Sequence, residues 1–591
     1  MNTKHTIPKL FGVCAVLCLA VLPVSAATFG KFTYVDNGTS ITITGYPYAA
    51  SGAVVIPATI GGKPVTIIGH DAFAICRGLT SVTIPTSVTR IGFNAFYGCN
   101  GLKSVTIPSS VTSIGPAAFT CDKLTEITVD ALNPNYSSEN GVLFDHRKAK
   151  LVQYPGGKTG NYTIPSSVTS IGQKAFYYCE SLTSVTIPTS VTSIGPYAFH
   201  GCSGLTSVTI PSSVISIGNE AFFICSGLTT VTISRGVTSI GLDAFYACDE
   251  LTSVHIPSSV TSIGQGAFQC GKLTKITVDA LNPKYSSEDG VLFDGQKTTL
   301  VQYPMAKNGD YTIPSGVTRV EDIAFYYCYR ITGLTFPSSL TSTGEYAFYD
   351  CSLTSLKFPN NLTSFGKGAF SNCYGIKSVT IPSGVTSIGD NAFESCYGLK
   401  NVTIGSGVTH IGKNAFYYCT SLTTATFLGN APKLGLGPFD YAASGFAINY
   451  IDGHTGFTSP TWHGYPCVGV AATPEIDVQQ PLGIRLVDGT AKKSFGTVVV
   501  GQSGTAKTFT IQNTGTSNLA GLALSVDGTN AGDFQITPPA KTKLPPGEST
   551  TFKISFKPTA IGTRSATIHI QSNDADENPF DIKLTGLGSA P

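Results

Sequence analysis

Charge is scarce in this sequence. Asp, Glu, Lys and Arg make up 12% of 591 residues, the formal net charge is +2, and no long run of one sign occurs. Neither a nucleic-acid footprint nor a disordered acidic tail fits that balance. Methionine (2) and tryptophan (1) are rare, whereas glycine (64) and proline (34) are frequent. With Thr, Ser, Val and Ile dominating the rest, strands and turns are favoured over helices. After the first residues no run of eighteen or more apolar residues occurs, so no transmembrane helix is expected in the mature chain. HExxH, a GxSxG nucleophile elbow, a Walker loop and a GxGxxG before a helix are all missing. No enzyme, no catalytic residue and no cofactor is therefore expected.

What is present begins with a leader pattern. Lys4 and Lys9 precede an apolar run over residues 10 to 22, and Val24, Ser25 and Ala26 supply small residues for cleavage. Residues 1–26 read as a secretory signal peptide, which implies a secreted or cell-surface protein starting near Ala27.

A repeat organises the rest. SVTIPTSVTRIGFNAFYGCNGL at 81 to 102 recurs as SVTIPTSVTSIGPYAFHGCSGL at 184 to 205 and continues to residue 422. The period is 23, and cysteine marks it: Cys76, Cys99 and Cys121, then five from Cys179 to Cys270, then five from Cys328 to Cys419. Each unit carries apolar residues in the order Leu79, Val82, Ile84, Val88, Ile91, Ala95, Phe96 and Cys99. That spacing fits neither a long helix nor a two-sided strand. The opening L-x-x-V-x-I matches the short strand of leucine-rich repeats, with Pro85 placed where a ladder donor is no longer needed. Ile91-Gly92 reads as a turn, and residues 94 to 99 as one helical or 3₁₀ turn that packs Phe96 inward. One unit cannot bury this set alone; stacking does.

Two longer intervals break the rhythm, ITVDALNPNYSSENGVLFDHRKAKLVQYP at 127 to 155 and ITVDALNPKYSSEDGVLFDGQKTTLVQYP at 276 to 304. Each follows a unit shortened by one residue between Phe and Cys, at Phe119–Cys121 and Phe268–Cys270. Residues 141 to 145 and 151 to 154 suggest two strands joined by a polar turn, so β-hairpin insertions are expected near 127–160 and 276–309.

The IPxxVxxIGxxAFxxCxxL repeat and the NPxYSSExGVLFDxxxxxLVQYP insertion resemble the BspA-type leucine-rich-repeat surface proteins over roughly residues 28 to 470. The resemblance implies a mainly β solenoid with a parallel sheet and about thirteen repeats. It assigns residues 27–75 to an entry cap and first repeat, 76–430 to the solenoid, and 431–473 to a closing cap with Trp462 and a linker. It also implies adhesion to extracellular, host or matrix proteins. A carbohydrate-binding envelope protein and a structural spacer are the alternatives, the first weakened by the lone tryptophan.

From Pro474 the texture changes to short alternating strands such as KTFTIQNTG, TTFKISFKP and SATIHIQSND. Residues 474–591 fit an antiparallel immunoglobulin-like sandwich with Phe509, Ile511, Phe552, Ile554, Phe556, Ile568, Ile570, Ile582 and Leu584 inward. The ending FKPTAIGTRSATIHIQSNDADENPFDIKLTGLG is similar to choice-of-anchor D and ASH-type domains, which implies a spacer or second contact module.

Thirteen repeat cysteines at one phase, without CxxC pairs, suggest a buried ladder of reduced thiols and no metal site. Cys467, outside the phase, is the thiol expected to be free or exposed. The acidic turn at 573 to 577 reads as a solvated loop. On the outward strand face, Thr80, Ser81 and Thr83, with their repeats, would form a Thr/Ser surface able to meet a glycan or simply to stabilise the sheet. Departures from that uniformity point to a sparse ligand-binding patch of Lys103, His255, Lys357, Lys377 and Lys400.

Overall fold

The computed structural model describes residues 26–590, so all of the expected leader but Ala26 lies outside the described residues. The chain forms two compact units, one ending at Gly271 and one beginning at Lys272. No helix among the described residues is long and apolar enough to cross a membrane.

Each repeat is one rung of a parallel β-solenoid, and a regular rung contributes to three ladders. The first is built from the expected strand: in the first unit Gly160–Thr163, Leu182–Thr186, Ser207–Ile210 and Thr230–Ile233 pair in parallel order. The second replaces the turn expected at Ile-Gly. Ser170–Ile171, Ser193–Ile194, Ser216–Ile217, Ser239–Ile240 and Ser262–Ile263 are two-residue strands in a continuous parallel sheet. Two residues produce no alternation, which is why the sequence pattern reads as a turn there. The third ladder is the AFxxC loop, which is a chain of turns rather than a helix. Its amides bond from rung to rung, Phe176 N–H to the Ala198 carbonyl at 2.6 Å and Tyr178 N–H to the His200 carbonyl at 2.8 Å. This geometry alternates right- and left-handed backbone, and Asn94, Lys174, Tyr178, Glu220 and Ile224 all sit at φ between 53° and 58°.

The core follows from this stacking. Leu79, Val88, Ile91, Ala95, Phe96 and Cys99 are fully buried, and only Val82 of the expected set remains half-buried. The phenylalanines form a continuous column, with Phe176, Phe199, Phe222 and Phe245 spaced 4.6, 4.9 and 5.1 Å apart and nearly parallel. Full burial of each such ring stabilises the stack by about 1.5–3 kcal/mol.

The insertions are three-stranded. In the first unit Tyr136–Glu139, Val142–Asp145 and Lys150–Gln153 run antiparallel, and Lys150–Gln153 then joins Ser170–Ile171 in the two-residue sheet. The second unit repeats this with Tyr285–Glu288, Val291–Asp294 and Thr299–Gln302, the last pairing with Arg319–Val320. Each insertion thus widens the solenoid and supplies a rung of it. The second unit's solenoid closes on Ala447–Ile451, Tyr465–Val470 and Thr461–Trp462, with Trp462 buried against Phe427 and Phe457.

The carboxy-terminal module packs two four-stranded sheets. Ile476–Gln479, Lys507–Asn513, Ser549–Phe556 and Phe534–Thr537 form one. Ala491–Val499, Phe580–Ser589, Gly562–Gln571 and Ala523–Asp527 form the other. All nine residues expected inward are at most 1% exposed. One pairing departs from the antiparallel expectation: Ala491–Val499 runs parallel to Phe580–Ser589.

The repeat cysteines are buried, and no disulfide joins them among the described residues. Their thiols point at carbonyls one rung back, Cys99 to Phe73 and Cys202 to Phe176 at 3.0 Å each, and Cys351 to Phe325 at 3.1 Å. Burial pushes the Cys99 thiol up to about 12, and Cys121 and Cys351 well above their usual range. Cys467 is free but not exposed; at 3% exposure it lies inside the closing cap. Since every repeat cysteine is buried, a thiol-disulfide reagent at pH 8 should leave the ladder unmodified until denaturant is added, as a thiol titration with and without guanidinium would record.

Candidate functional site

The second position of the outward Thr/Ser face is used by the solenoid itself. Hydroxyls in the second strand position donate to the carbonyl of the preceding rung, Thr229 to Thr206 at 3.0 Å, Thr423 to Lys400 at 3.1 Å and Thr125 to Lys103 at 3.2 Å. Loop serines do the same, Ser190 to Val168 and Ser259 to Val237 at 2.7 Å each. The regularity of these residues therefore has a structural cause: each satisfies a backbone acceptor between rungs.

The five residues singled out as departures are all exposed but do not converge. Lys103 and His255 belong to the first unit, on the separate strands' rungs of Ser104–Ile107 and Ser253–Ile256. Lys377 and Lys400 sit on adjacent rungs in the same strand position, linked by the bond from Lys400 N–H to the Lys377 carbonyl at 2.8 Å. Lys357 occupies a different position, in a rung over residues 351 to 359 that forms no strand. Its ammonium donates to the Ser549 hydroxyl of the carboxy-terminal module at 3.3 Å. Beside it Gly547, at φ 78°, lies so close that a Cβ would approach Thr380 Cγ2 to 2.8 Å. The turn around Gly547 thus covers this part of the strand face, and the expected patch reduces to Lys377 and Lys400.

A feature the sequence reading passed over lies in the AFxxC loop of the second unit. The loop's phenylalanine and cysteine are core, but the positions around them face out and are filled by tyrosine. Tyr329, Tyr374, Tyr397, Tyr418 and Tyr441 are 40–60% exposed. Tyr374 stacks on Tyr397 at 5.2 Å, and Tyr418 on Tyr441 at 4.5 Å. The two positions after each phenylalanine carry charge only as Asp350, Glu394 and Asp440. Tyr329 donates to Asp350 at 3.2 Å, and Tyr465 to Asp440 at 2.7 Å. Burial raises the Asp350 carboxyl above its ordinary range. At the far end a hollow of about 500 Å³ is lined by Asp440, Tyr441, Phe446 and Tyr465. The signal was in the recurrent FYYC and CYG strings, whose tyrosines recur at the phase of the cysteine.

In the carboxy-terminal module, Glu475, Asp574 and Asp576 bring carboxylate oxygens within 4.8 Å of one another. The acidic turn is not wholly solvated as expected: Asp574 is 1% exposed and accepts the Ile476 N–H at 2.6 Å. Burial, and then its neighbour Asp576, holds its carboxyl above the usual range.

A family model described as BspA type leucine rich repeat region matches residues 54–159, 154–274 and 305–427, in six copies. These stretches together span more than half of the chain. A model described as Cep192 domain 4 matches residues 489–589. Among solved structures the chain is similar to a leucine rich cell surface protein from Faecalibacterium prausnitzii, 32% identical over 69% of this chain and 95% of that one, with a TM-score of 0.45. It is also similar to the pneumococcal vaccine antigen PcpA, at 21% identity over 73% and 94% with a TM-score of 0.39. A leucine-rich repeat protein from Bacteroides ovatus matches at 22% identity over 72% and 100%, with a TM-score of 0.32. A comparison with curated proteins gave no match.

Proposed function

The chain belongs to the BspA-type leucine-rich-repeat family, and from that premise we propose that it is an extracellular or cell-surface scaffold that binds protein ligands and performs no chemistry on them. The observation that carries this reading is the tyrosine column of the second unit. Tyrosine supplies large, rigid, amphipathic contact area at low conformational cost and is enriched at interfaces. Five such side chains, two stacked pairs and Tyr329, are exposed on the outer loops of the second unit near Asp350, Glu394 and Asp440, and they suit a partner that presents arginine or lysine to a tyrosine face and a carboxylate together. The hollow beside Asp440 and Tyr441 offers a place for one anchoring side chain. Lys377 and Lys400 give the strand face a weak basic character, and they are the rival contact.

The test is saturable binding of the full chain to a panel of extracellular matrix proteins, repeated with a Tyr374→Ala, Tyr397→Ala double variant and a Lys377→Ala, Lys400→Ala double variant. The tyrosine pair should weaken binding about thirtyfold, as a loss of ~2 kcal/mol implies. The lysine pair should change it little. The reverse order would move the contact to the strand face, and no saturable binding to any protein would sink the scaffold reading.

A further inference from the structure

The first insertion has a consequence on the outer edge of the first unit. In an ordinary rung the chain leaves the two-residue strand, makes the AFxxC loop and returns. At the insertion it does not. After Lys150–Gln153 it passes through Tyr154 and Pro155 directly to Gly157, whose N–H meets the Leu124 carbonyl at 2.8 Å. Gly156 and Gly157 press on the backbone of Cys121 and Lys123, where a Cβ would lie 2.9 and 2.6 Å away. In the inner column Tyr154 takes the phenylalanine place and stacks on Phe176 at 5.0 Å. The missing backbone partner is supplied by Gln153, which is 3% exposed. Its side chain accepts from Phe119 N–H at 3.1 Å and donates to the Thr120 hydroxyl at 3.2 Å. Outside the core, however, one loop of the third ladder is absent.

That absence leaves a notch of about 440 Å³ between the loops before and after it, lined among others by Tyr97, Asn100, Asp122, Tyr178, Glu180 and Arg77. Its volume falls within the ~300–1,000 Å³ of small-molecule sites. The gap has a fixed width rather than a collapsed one. Nearby, the Lys174 ammonium is held 4.4 Å from the ring centroids of both Phe93, two rungs before the insertion, and Tyr177 of its own loop, and so ties the two sides together. The walls are also set in place. Asn100 donates to the Asp122 carboxylate at 2.5 Å, and its carbonyl oxygen accepts from Asp122 N–H at 3.3 Å. Gly201 leaves room for the Tyr178 ring on the side away from the notch, where a Cβ would come within 2.5 Å of Cδ1. The Tyr97 phenol is raised above its ordinary range, first by burial and then by the nearby Tyr178 and Asp122.

We propose that this notch is a binding site for a neutral saccharide unit, distinct from the tyrosine column of the second unit. The chemistry of the wall selects the class. A simple cation would suit Asp122 and Glu180 but would face Arg77, and an anion would suit Arg77 but would face two carboxylates. A sugar uses both kinds of group at once, since each hydroxyl donates and accepts. The rings of Tyr97 and Tyr178 offer flat apolar surface for the C–H face of a pyranose. Prior fixing of Asp122 by Asn100 reduces the ordering cost of binding.

The experiment is saturation-transfer NMR on the full chain with glucose, galactose, mannose, N-acetylglucosamine, cellobiose, lactose and chitobiose, with tetramethylammonium and inorganic phosphate as the charged probes. Two variants accompany it. Tyr178→Gly copies the residue found at the same loop position as Gly98 and Gly201, all three with positive φ, so the backbone is retained. Asp122→Asn keeps the shape and removes the charge. The site predicts transfer to at least one saccharide, with affinity falling tenfold or more in each variant and the thermal midpoint unchanged in Asp122→Asn. Transfer to no saccharide, transfer that survives both variants, or transfer confined to tetramethylammonium or phosphate would overturn it.

Discussion

Replacing Phe222 by alanine should destabilise the first unit by about 3–5 kcal/mol, the range for a large aromatic removed from a core that cannot close over the gap. Phe222 is fully buried and stacks on Phe199 at 4.9 Å and on Phe245 at 5.1 Å, with ring planes within 4° of parallel. The void cannot be filled by a neighbour sliding in, because each neighbour is held by a backbone hydrogen bond to the next rung, Phe199 N–H to the Ala221 carbonyl at 2.7 Å and Phe245 N–H to the Ala267 carbonyl at 2.9 Å. In a solenoid the loss is felt by adjacent rungs first. Denaturant unfolding should report the magnitude, and hydrogen exchange should show amides from about Phe199 to Phe245 losing protection before those near Phe73. A loss under 1 kcal/mol, or a uniform loss of protection, would mean that the column is not the element holding the stack.

That column was readable from the sequence, because a residue repeated at one phase in every unit must meet its copies when the units stack. The same reasoning placed Leu79, Val88 and Cys99 in the core, and simple alternation placed Phe509, Ile554 and Ile582 inside the sandwich. Other features left no comparable mark. Ser193–Ile194 is too short to show a period, so a whole sheet read as a turn. The third insertion strand, Tyr136–Glu139, is half-buried along its length and shows no alternation. The left-handed loop positions are filled by Asn, Lys, Glu, Tyr and even Ile, rather than by glycine alone. Ile224, β-branched at φ 56°, persists there because its amide is fixed to Tyr246 at 2.8 Å.

Function was legible only in outline, and for a related reason. Residues that break a repeat attract attention, so Lys103, His255, Lys357, Lys377 and Lys400 were singled out. Breaking the pattern does not bring residues together. Two stand on adjacent rungs, one lies against Ser549, and the two from the first unit belong to different strands. The tyrosines behave in the opposite way. They follow the repeat closely enough to look like part of its scaffold, yet Tyr329, Tyr397 and Tyr441 expose 52%, 44% and 60% of their surface. A solenoid's binding surface can consist of regular residues, provided that the position they occupy is one the core does not need.

The glycine that follows the two-residue strands of the ladder, all but Arg319–Val320, makes the complementary case, a regular residue with no side chain to offer. Gly218→Ala should destabilise the first unit by about 3 kcal/mol, from overpacking and weakened rung-to-rung hydrogen bonds together. A Cβ on Gly218 would lie 2.5 Å from Pro196 N and 2.6 Å from the Gly195 carbonyl carbon, both backbone atoms that no rotamer can move. Relief by separating the rungs would stretch the bond from Gly218 N–H to the Ile194 carbonyl, now 2.9 Å, and the next rung's Gly241 N–H to Ile217, also 2.9 Å. Gly195 and Gly241 are packed in the same way, so no slack exists on either side. The sign of the effect is the informative part. Gly218 is not among the left-handed glycines, and at an unstrained glycine with room for a methyl group, alanine stabilises by about 0.4–1 kcal/mol through the unfolded chain. Equilibrium unfolding of Gly218→Ala therefore separates two explanations of the repeated glycine. A loss means that close approach of successive rungs requires it, whereas a gain would mean that the rungs stand further apart and that glycine serves only the turn.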